Sequence, residues 1–464
     1  MVDLTVFLVS AAPFVVAGVG LLVLGWPASR VGLATLGAAV VGALALGASD
    51  LIGPLAAGFG TSGRVLFVLF GGLLLYNLLA AGGAVEEVSR FLGRLEPDPV
   101  ALAAGVVVGV APFFESVTGF GVAVVISAPI LLAAGFSPLK AAVLASWGQC
   151  AVPWGALGVG TVIGADLAGM GFGELSDASA LLSLPLFPVY GVAAVALAGG
   201  WSGVRRHGAE AVLLGLAAGV GTLATSLYLV PELSGAVGGL AATAVFLARR
   251  WRRARDVPVR ALLPYAFLLV LLVGVNAAGN PGSLALVGPI LDGPAVPLLV
   301  SSAFAALLFG VGGRRLGEAV RGTGRQWLPT AGAVLTFVLA GAVVADGGAA
   351  EVLAEQARRF GALYPAVLPV LGAFGGALAG SNAASNALFM PLQVEAARGL
   401  GIRETLAAAS QNVSGSHASL LAPQRIVLAA AATGLVGREG EITRRALPPV
   451  AISVVVLAII GMLS

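Results

Sequence analysis

Residues 64–84 read RVLFVLFGGLLLYNLLAAGGA and residues 329–349 read PTAGAVLTFVLAGAVVADGGA; both are apolar runs closing on Gly-Gly-Ala, 265 residues apart. Each is followed by a charged segment, VEEVSRFLGRLEPD at 85–98 and AEVLAEQARRFGAL at 350–363. An apolar stretch broken by a polar tip comes next, ESVTGFG at 115–121 and GSNAASN at 380–386. A second apolar arm then leads to a second polar break, SWGQCAVPWG at 146–155 and SQNVSGSH at 410–417. One such match between Ala- and Gly-rich helices arises by chance; the same order of features at one offset is hard to reach by accident. The chain is therefore read as two internal repeats, residues 1–200 and 260–464, joined by a linker at 201–259 that carries two spans.

Composition supplies the solvent. Of 464 residues, 58% are hydrophobic and 10% charged, against about 25% charged in a soluble domain. A core of this length has no room for so much apolar surface, and lipid is the medium that fits. The net charge of +3 comes almost wholly from arginine. These arginines sit in short loops between apolar runs, which points to membrane topology rather than to nucleic acid. Cys150 is the only cysteine, so no internal disulfide forms. The start, Met1-Val2-Asp3, lacks the basic region of a signal peptide, and residues 4–25 read as the first span.

Loop charge then sets orientation. The arms of each broken pair, about 98–134 and 364–399, are read as 15 to 17 residues long, short of the ~20 a full span needs. They are expected to be re-entrant hairpins. Counting 138–168 and 403–436 as single broken spans gives an all-α polytopic membrane protein of 12 transmembrane helices plus two hairpins. The halves then start seven crossings apart and are oppositely oriented. The loop RRWRRARDVPVR at 249–260 marks the cytoplasm, and counting from it puts Arg30, Arg90, Arg94, Arg205, Arg206, Arg314 and Arg315 inside with both termini outside. The opposite loops, around 49–62, 166–178 and 278–293, have almost no basic residues; only Arg358, Arg359, Arg398 and Arg403, flanking the second hairpin, land outside. Inverted repeats with broken helices near the midplane are the architecture of secondary transporters.

Unwound backbone survives in a membrane only within protein or beside a water-filled cavity, so the four breaks mark the candidate site. Free N–H groups at helix N-termini suit a carboxylate. Ser116, Thr118, Gln149, Ser381, Asn382, Ser385, Asn386, Asn412 and Ser414 add neutral polar groups, and Gly119 allows close backbone approach. This chemistry fits a small polar anion and not a lipid or a bulky apolar drug. Glu115 reads either as the carrier of a coupled proton or as a structural carboxylate that caps the tip helix or pairs with an arginine. His417 reads as a proton-transfer group or a packing residue. Arg425 reads as a bidentate partner for the substrate carboxylate, as a structural partner of Glu115 or Glu395, or as a snorkelling arginine. Trp147 and Trp154 line the cavity or pack. No metal or organic cofactor is expected; a proton is the coupling ion, with sodium as the alternative. An intramembrane enzyme is disfavoured, because Ser416 and His417 are adjacent and point about 100° apart on a helix, and no His-Glu-x-x-His spacing occurs.

At these same residues the sequence resembles the bacterial L-lactate permeases, a family that includes glycolate permeases. The first matching stretch is FFESVTGFGVAVVISAPILLAAGFSPLKAAVLASWGQCAVPWGALG, 113–158. The second is GSNAASNALFMPLQVEAARGLGI, 380–402, followed by LAAASQNVSGSHASLLAPQRIVLAAAATGLVGREGEI, 406–442. The resemblance implies proton-coupled uptake of 2-hydroxymonocarboxylates through the cytoplasmic membrane of a bacterium. It also implies kinship with a wider ion-transporter superfamily, an elevator motion and a homodimer. Two residues depart from the family pattern: Asn382 stands where an Asp is typical, and Arg425 where a small polar residue is common. A dicarboxylate or sulfonate is the alternative cargo.

Overall fold

The computed structural model describes residues 3–119, 121–254, 256–277 and 293–464, and every regular element among them is helical. Apolar runs long enough to satisfy all their own backbone hydrogen bonds form helices because lipid offers no other partner. In chain order these are α1 (Leu4–Gly18, extended by a π-turn to Val23), α2 (Ala28–Ala45), α3 (Ile52–Ala81) and the short amphipathic α4 (Ala84–Leu95). A helical pair follows, α5 (Pro99–Thr118) and α6 (Val122–Ala133), then α7 (Pro138–Trp147) and α8 (Gly155–Ala168). Next come α9 (Phe172–Ser183), α10 (Leu186–Tyr228), α11 (Ser234–Ala248), α12 (Val259–Ala277) and α13 (Ala295–Phe309). The later part holds α14 (Gly313–Asp346), α15 (Ala349–Ala357), the pair α16 (Tyr364–Ala379) and α17 (Asn382–Leu400), then α18 (Glu404–Ser419), α19 (Pro423–Thr433) and α20 (Glu439–Leu463).

Helix boundaries recur at the offset seen in the sequence. α3 ends at Ala81 and α14 at Asp346; α4 begins at Ala84 and α15 at Ala349; α5 begins at Pro99 and α16 at Tyr364; α8 ends at Ala168 and α19 at Thr433. Packing is reciprocal as well. The second arm of the later pair, α17, lies on α8, while the second arm of the earlier pair, α6, lies on α19.

Three features differ from the sequence expectation. The first arm, α5, has 20 residues rather than 15 to 17, because the helix runs on through a π-turn at Val106–Val110 to Thr118. Ten helices among the described residues are long and apolar enough to cross a membrane, or eleven with the α7–α8 pair, against the twelve expected. Two expected spans merge into α10, 43 residues long and kinked at Gly200, and α13 and α18 have only 15 and 16 residues. The loop around 278–293, except Gly293, and Phe120 of the first tip lie outside the described residues. The expected break at 138–168 is present: α7 and the segment Val152–Ala168 meet at a 63° bend.

Burial is graded from rim to centre. The apolar window of Leu4–Val23 is 22% buried in protein, that of Pro99–Thr118 94%. The outer helices thus present Leu and Val to lipid, and the broken elements are enclosed where irregular backbone is tolerated.

Candidate functional site

The first tip is built by two glycines. Gly119 (φ 72°, ψ −165°) and Gly121 (φ 80°) take conformations that side-chain-bearing residues avoid, and they reverse the chain between α5 and α6. That reversal aims the first N–H groups of α6 back at Glu115. Its carboxylate accepts from Gly121 N–H at 3.1 and 3.2 Å and from Ala123 N–H at 3.3 Å, and the residue is fully buried. A negative group at a helix N-terminus is well placed electrostatically.

The second tip is shaped by its partner. Gly380 (φ 65°) ends α16, and a Cβ there would collide with the Gln424 side chain. Pro423 opens α19, where its missing N–H costs nothing. The next two residues grip the end of α16. Gln424 Nε2 donates to the Ala379 carbonyl at 2.8 Å and Arg425 Nε to the Gly380 carbonyl at 2.9 Å.

Arg425 then reaches across to the other half. Its Nη1 donates to Glu115 Oε1 at 3.0 Å and to Gln149 Oε1 in the break after α7. The Arg425 side chain is 10% exposed and that of Glu115 1%. One guanidinium therefore joins three of the polar segments: from α19 it holds the first tip, the first broken span and the second tip. The fourth, 410–417, is not a break; it is continuous helix within α18, where Ser414 and Ser419 bond to carbonyls of their own helix, and the chain turns only at 420–422. Removing one member of so buried a pair costs about 3–5 kcal/mol, because the other charge is left uncompensated.

A second cluster of neutral groups lies alongside. Asn412 Oδ1 accepts from Asn382 Nδ2 and Asn386 Nδ2, both at 2.8 Å, and Asn412 Nδ2 donates to Thr161 Oγ1 at 3.0 Å and Ser179 Oγ at 2.9 Å. Asn386 Nδ2 also donates to the Gly160 carbonyl at 2.9 Å. Among the described residues the Oδ1 atoms of Asn382 and Asn386 meet no donor. Between the two clusters is a cavity of about 30 Å³, lined by Glu115, Gly119, Ser381, Asn382, Arg425 and the backbone of 155–160. That is room for about one water molecule. The backbone is unusual on this wall: Ala156 (φ 50°) and Leu157 (φ 55°) are left-handed, at a cost of roughly 1–2 kcal/mol each.

The expected site residues divide between this cavity and the packing around it. Glu115, Gly119, Gln149, Ser381, Asn382, Asn386, Asn412 and Arg425 gather at the two clusters. Ser116 does not; it faces α11, with its Oγ against Gly235. Thr118 Oγ1 donates within its own helix to the Phe114 carbonyl at 2.6 Å. Ser385 accepts from Gln411 Nε2 at 3.1 Å, and Ser414 donates to the Ser410 carbonyl at 2.6 Å while packing on α16 at Gly372. His417 contacts Ser453 Oγ at 3.2 Å and stands edge-on to Tyr190, away from the cavity. Trp147 and Trp154 both pack, donating to the Ala446 carbonyl and Ser176 Oγ at 2.9 Å. Thr161, Ser179 and Gln424 were not singled out. Thr161 and Gln424 carried a signal, a hydroxyl within an apolar run and a carboxamide beside Arg425; Ser179 carried none.

Comparison with known proteins places the chain in a family. A family model described as L-lactate permease matches residues 6–258 and 259–464. The chain belongs to the L-lactate permease family. It is thus a multi-pass membrane permease and not an enzyme. The glycolate permease GlcA of Escherichia coli (strain K12) is 25% identical over 458 residues, covering 82% of the permease and 80% of that protein. The L-lactate permease of Streptococcus iniae is 25% identical over 375 residues, covering 73% and 78%. Among solved structures, the Alcanivorax borkumensis YdaH transporter aligns with a TM-score of 0.44 at 16% identity, over 89% of the permease and 87% of that chain.

Proposed function

We propose that the permease carries small monocarboxylates such as L-lactate or glycolate across the bacterial cytoplasmic membrane in symport with a proton. The observation that carries this reading is the buried Arg425–Glu115 pair on the cavity wall. A substrate carboxylate is a chemical copy of the Glu115 side chain and competes for the same guanidinium. Arg425 facing two carboxylates would leave a net negative charge in a low-dielectric site, which is strongly disfavoured. Uptake of one proton by Glu115 removes that excess and frees Arg425 for two-point contact with the substrate. Asn382 Oδ1, which meets no donor among the described residues, accepts the 2-hydroxyl. A site that hydrogen-bonds a hydroxyl discriminates strongly against analogues lacking one. His417, remote from the cavity, has no part in this scheme.

With room for about one water, the cavity must open before cargo enters. We assign that opening to an elevator movement of the two helical pairs and the broken spans against the remaining helices. The 265-residue recurrence of helix boundaries and the reciprocal packing support two repeats, 1–200 and 260–464. Loop charge supports their inversion, re-entrant hairpins and external termini, and the family resemblance supports a homodimer. A dicarboxylate or sulfonate driven by sodium is the competing reading; Arg425 as the sole cation lining the cavity among the described residues counts against a dicarboxylate. The test is a panel of labelled carboxylates in proteoliposomes under imposed proton or sodium gradients. L-Lactate and glycolate should accumulate with an inward proton gradient, and Glu115→Gln should abolish the response to that gradient. Accumulation driven by sodium alone, or an unchanged pH response in Glu115→Gln, overturns the assignment.

A further inference from the structure

A second charged site lies where α11 leaves the membrane. Arg250 there is enclosed, its side chain 8% exposed, with its guanidinium 3.8 Å from the Phe246 ring centre. It donates through Nε to Glu96 and through Nη1 and Nη2 to Glu210 at 2.6 and 3.3 Å. This one arginine therefore engages both carboxylates and ties the start of the first helical pair to α10. Arg249, Arg252 and Arg253 of the turn are left at the surface. Arg249 and Arg253 are 53% and 58% exposed, and their contacts with Glu210 and Glu96 are 3.1 and 3.8 Å. Arg252 makes no ion pair among the described residues and stands 5.6 Å from the Trp251 ring centre. Together these groups line a cavity of about 440 Å³, in which four arginines face two glutamates and leave a surplus of two positive charges.

We infer that this cavity binds the phosphate of an anionic phospholipid in the adjoining leaflet. Guanidinium groups match a phosphate by paired N–H donation. The level is that of a headgroup: the turn follows directly on an apolar span that ends at Ala248, and Trp251, 69% exposed, has the amphipathic ring typical of the interface. Basic pockets at the cytoplasmic ends of spans take acidic headgroups, each arginine contributing about fivefold in affinity. A soluble phosphate ester shares the chemistry but makes no use of the membrane depth or the indole.

The test is titration of purified full-length permease in neutral detergent with a short-chain phosphatidylglycerol, bound lipid being counted by native mass spectrometry. Phosphatidylcholine is the parallel lipid arm and glycerol 3-phosphate the soluble arm. Phosphatidylglycerol should bind in preference to phosphatidylcholine, and Arg252→Gln/Arg253→Gln should weaken it about twenty-five-fold. Arg314→Gln/Arg315→Gln, a pair at another helix end, should leave binding unchanged, and Arg252→Lys should retain most of it. Equal binding of both lipids, or undiminished binding to the Arg252→Gln/Arg253→Gln protein, overturns the proposal. Full competition by glycerol 3-phosphate at the lipid's own concentration overturns the lipid assignment in favour of a soluble ligand.

Discussion

Ser116 and Asn382 separate at the scale of single residues. Both are polar, both sit at a tip, and the sequence offers no reason to rank one above the other. Ser116 turns its hydroxyl to Gly235 of α11, while Asn382 lines the cavity and bonds to Asn412. Which side of a helix a residue faces depends on the neighbours it meets, and those come from chain segments far away in sequence. Ser116→Ala should therefore leave the apparent KM for lactate within about twofold, since a buried hydroxyl that meets no partner among the described residues can be deleted at little cost. Asn382→Ala should raise it tenfold or more, a loss of about 1.4 kcal/mol. Equal effects in initial-rate uptake assays would remove Asn382 from the site. Glu115 and Arg425 were legible as candidates because ionisable groups inside apolar runs are rare. That they pair with each other was legible only as one reading among several, because 310 residues separate them.

Tips and caps decide matters at the scale of elements. Gly119 combines a positive φ with a ψ near 180°, a region open essentially to glycine alone, and a Cβ there would stand 2.8 Å from the Ala156 Cβ. Gly119→Ala should lower stability by about 1–3 kcal/mol, measured as the melting temperature of the purified protein, and should cost uptake along with it. The start of α5 is capped by Asp98, whose carboxylate accepts from Val100 N–H at 3.0 Å and contacts His207 Nε2 at 3.0 Å. Burial pushes this carboxyl up, but the Val100 N–H and the His207 ring outweigh it and hold it below the usual range. A carboxyl depressed in the folded state adds stability above its unfolded pKa of about 3.9 and loses it as pH falls through the lower folded value. The melting-temperature gap between the native protein and Asp98→Asn should thus hold from neutral pH to about pH 5 and close below about pH 4. A gap that persists at pH 3 would show that the charge is not what matters there. Element order and most boundaries were readable from hydropathy and from the Pro and Gly punctuation. The length of α5 was not, because a π-turn leaves no mark in an all-apolar run such as VVVGV.

For the whole molecule, the recurrence of helix boundaries at a 265-residue offset was the most legible property, since it rests on order and spacing rather than on any one contact. The interlocking of the earlier and later segments was not legible: nothing local in α17 or α6 says that α17 will pack on α8 and α6 on α19. That interlocking brings both tips and the first break to a single guanidinium, and on the proposed proton-coupled cycle the Arg425–Glu115 pair has an electrical consequence. The unladen centre holds one positive and one negative group and sums to zero. In the proposed cycle the laden centre, with Glu115 protonated and a substrate carboxylate in its place, would also sum to zero. Neither stroke of the proposed cycle would then move net charge through the bilayer, although moving one elementary charge would be worth about 2.3 kcal/mol per 100 mV. Initial uptake into proteoliposomes should be the same with and without an inside-negative potassium diffusion potential set by valinomycin. Stimulation by that potential would mean that more than one proton accompanies each substrate. The permease is accordingly expected to draw on the pH gradient alone, insensitive to membrane voltage.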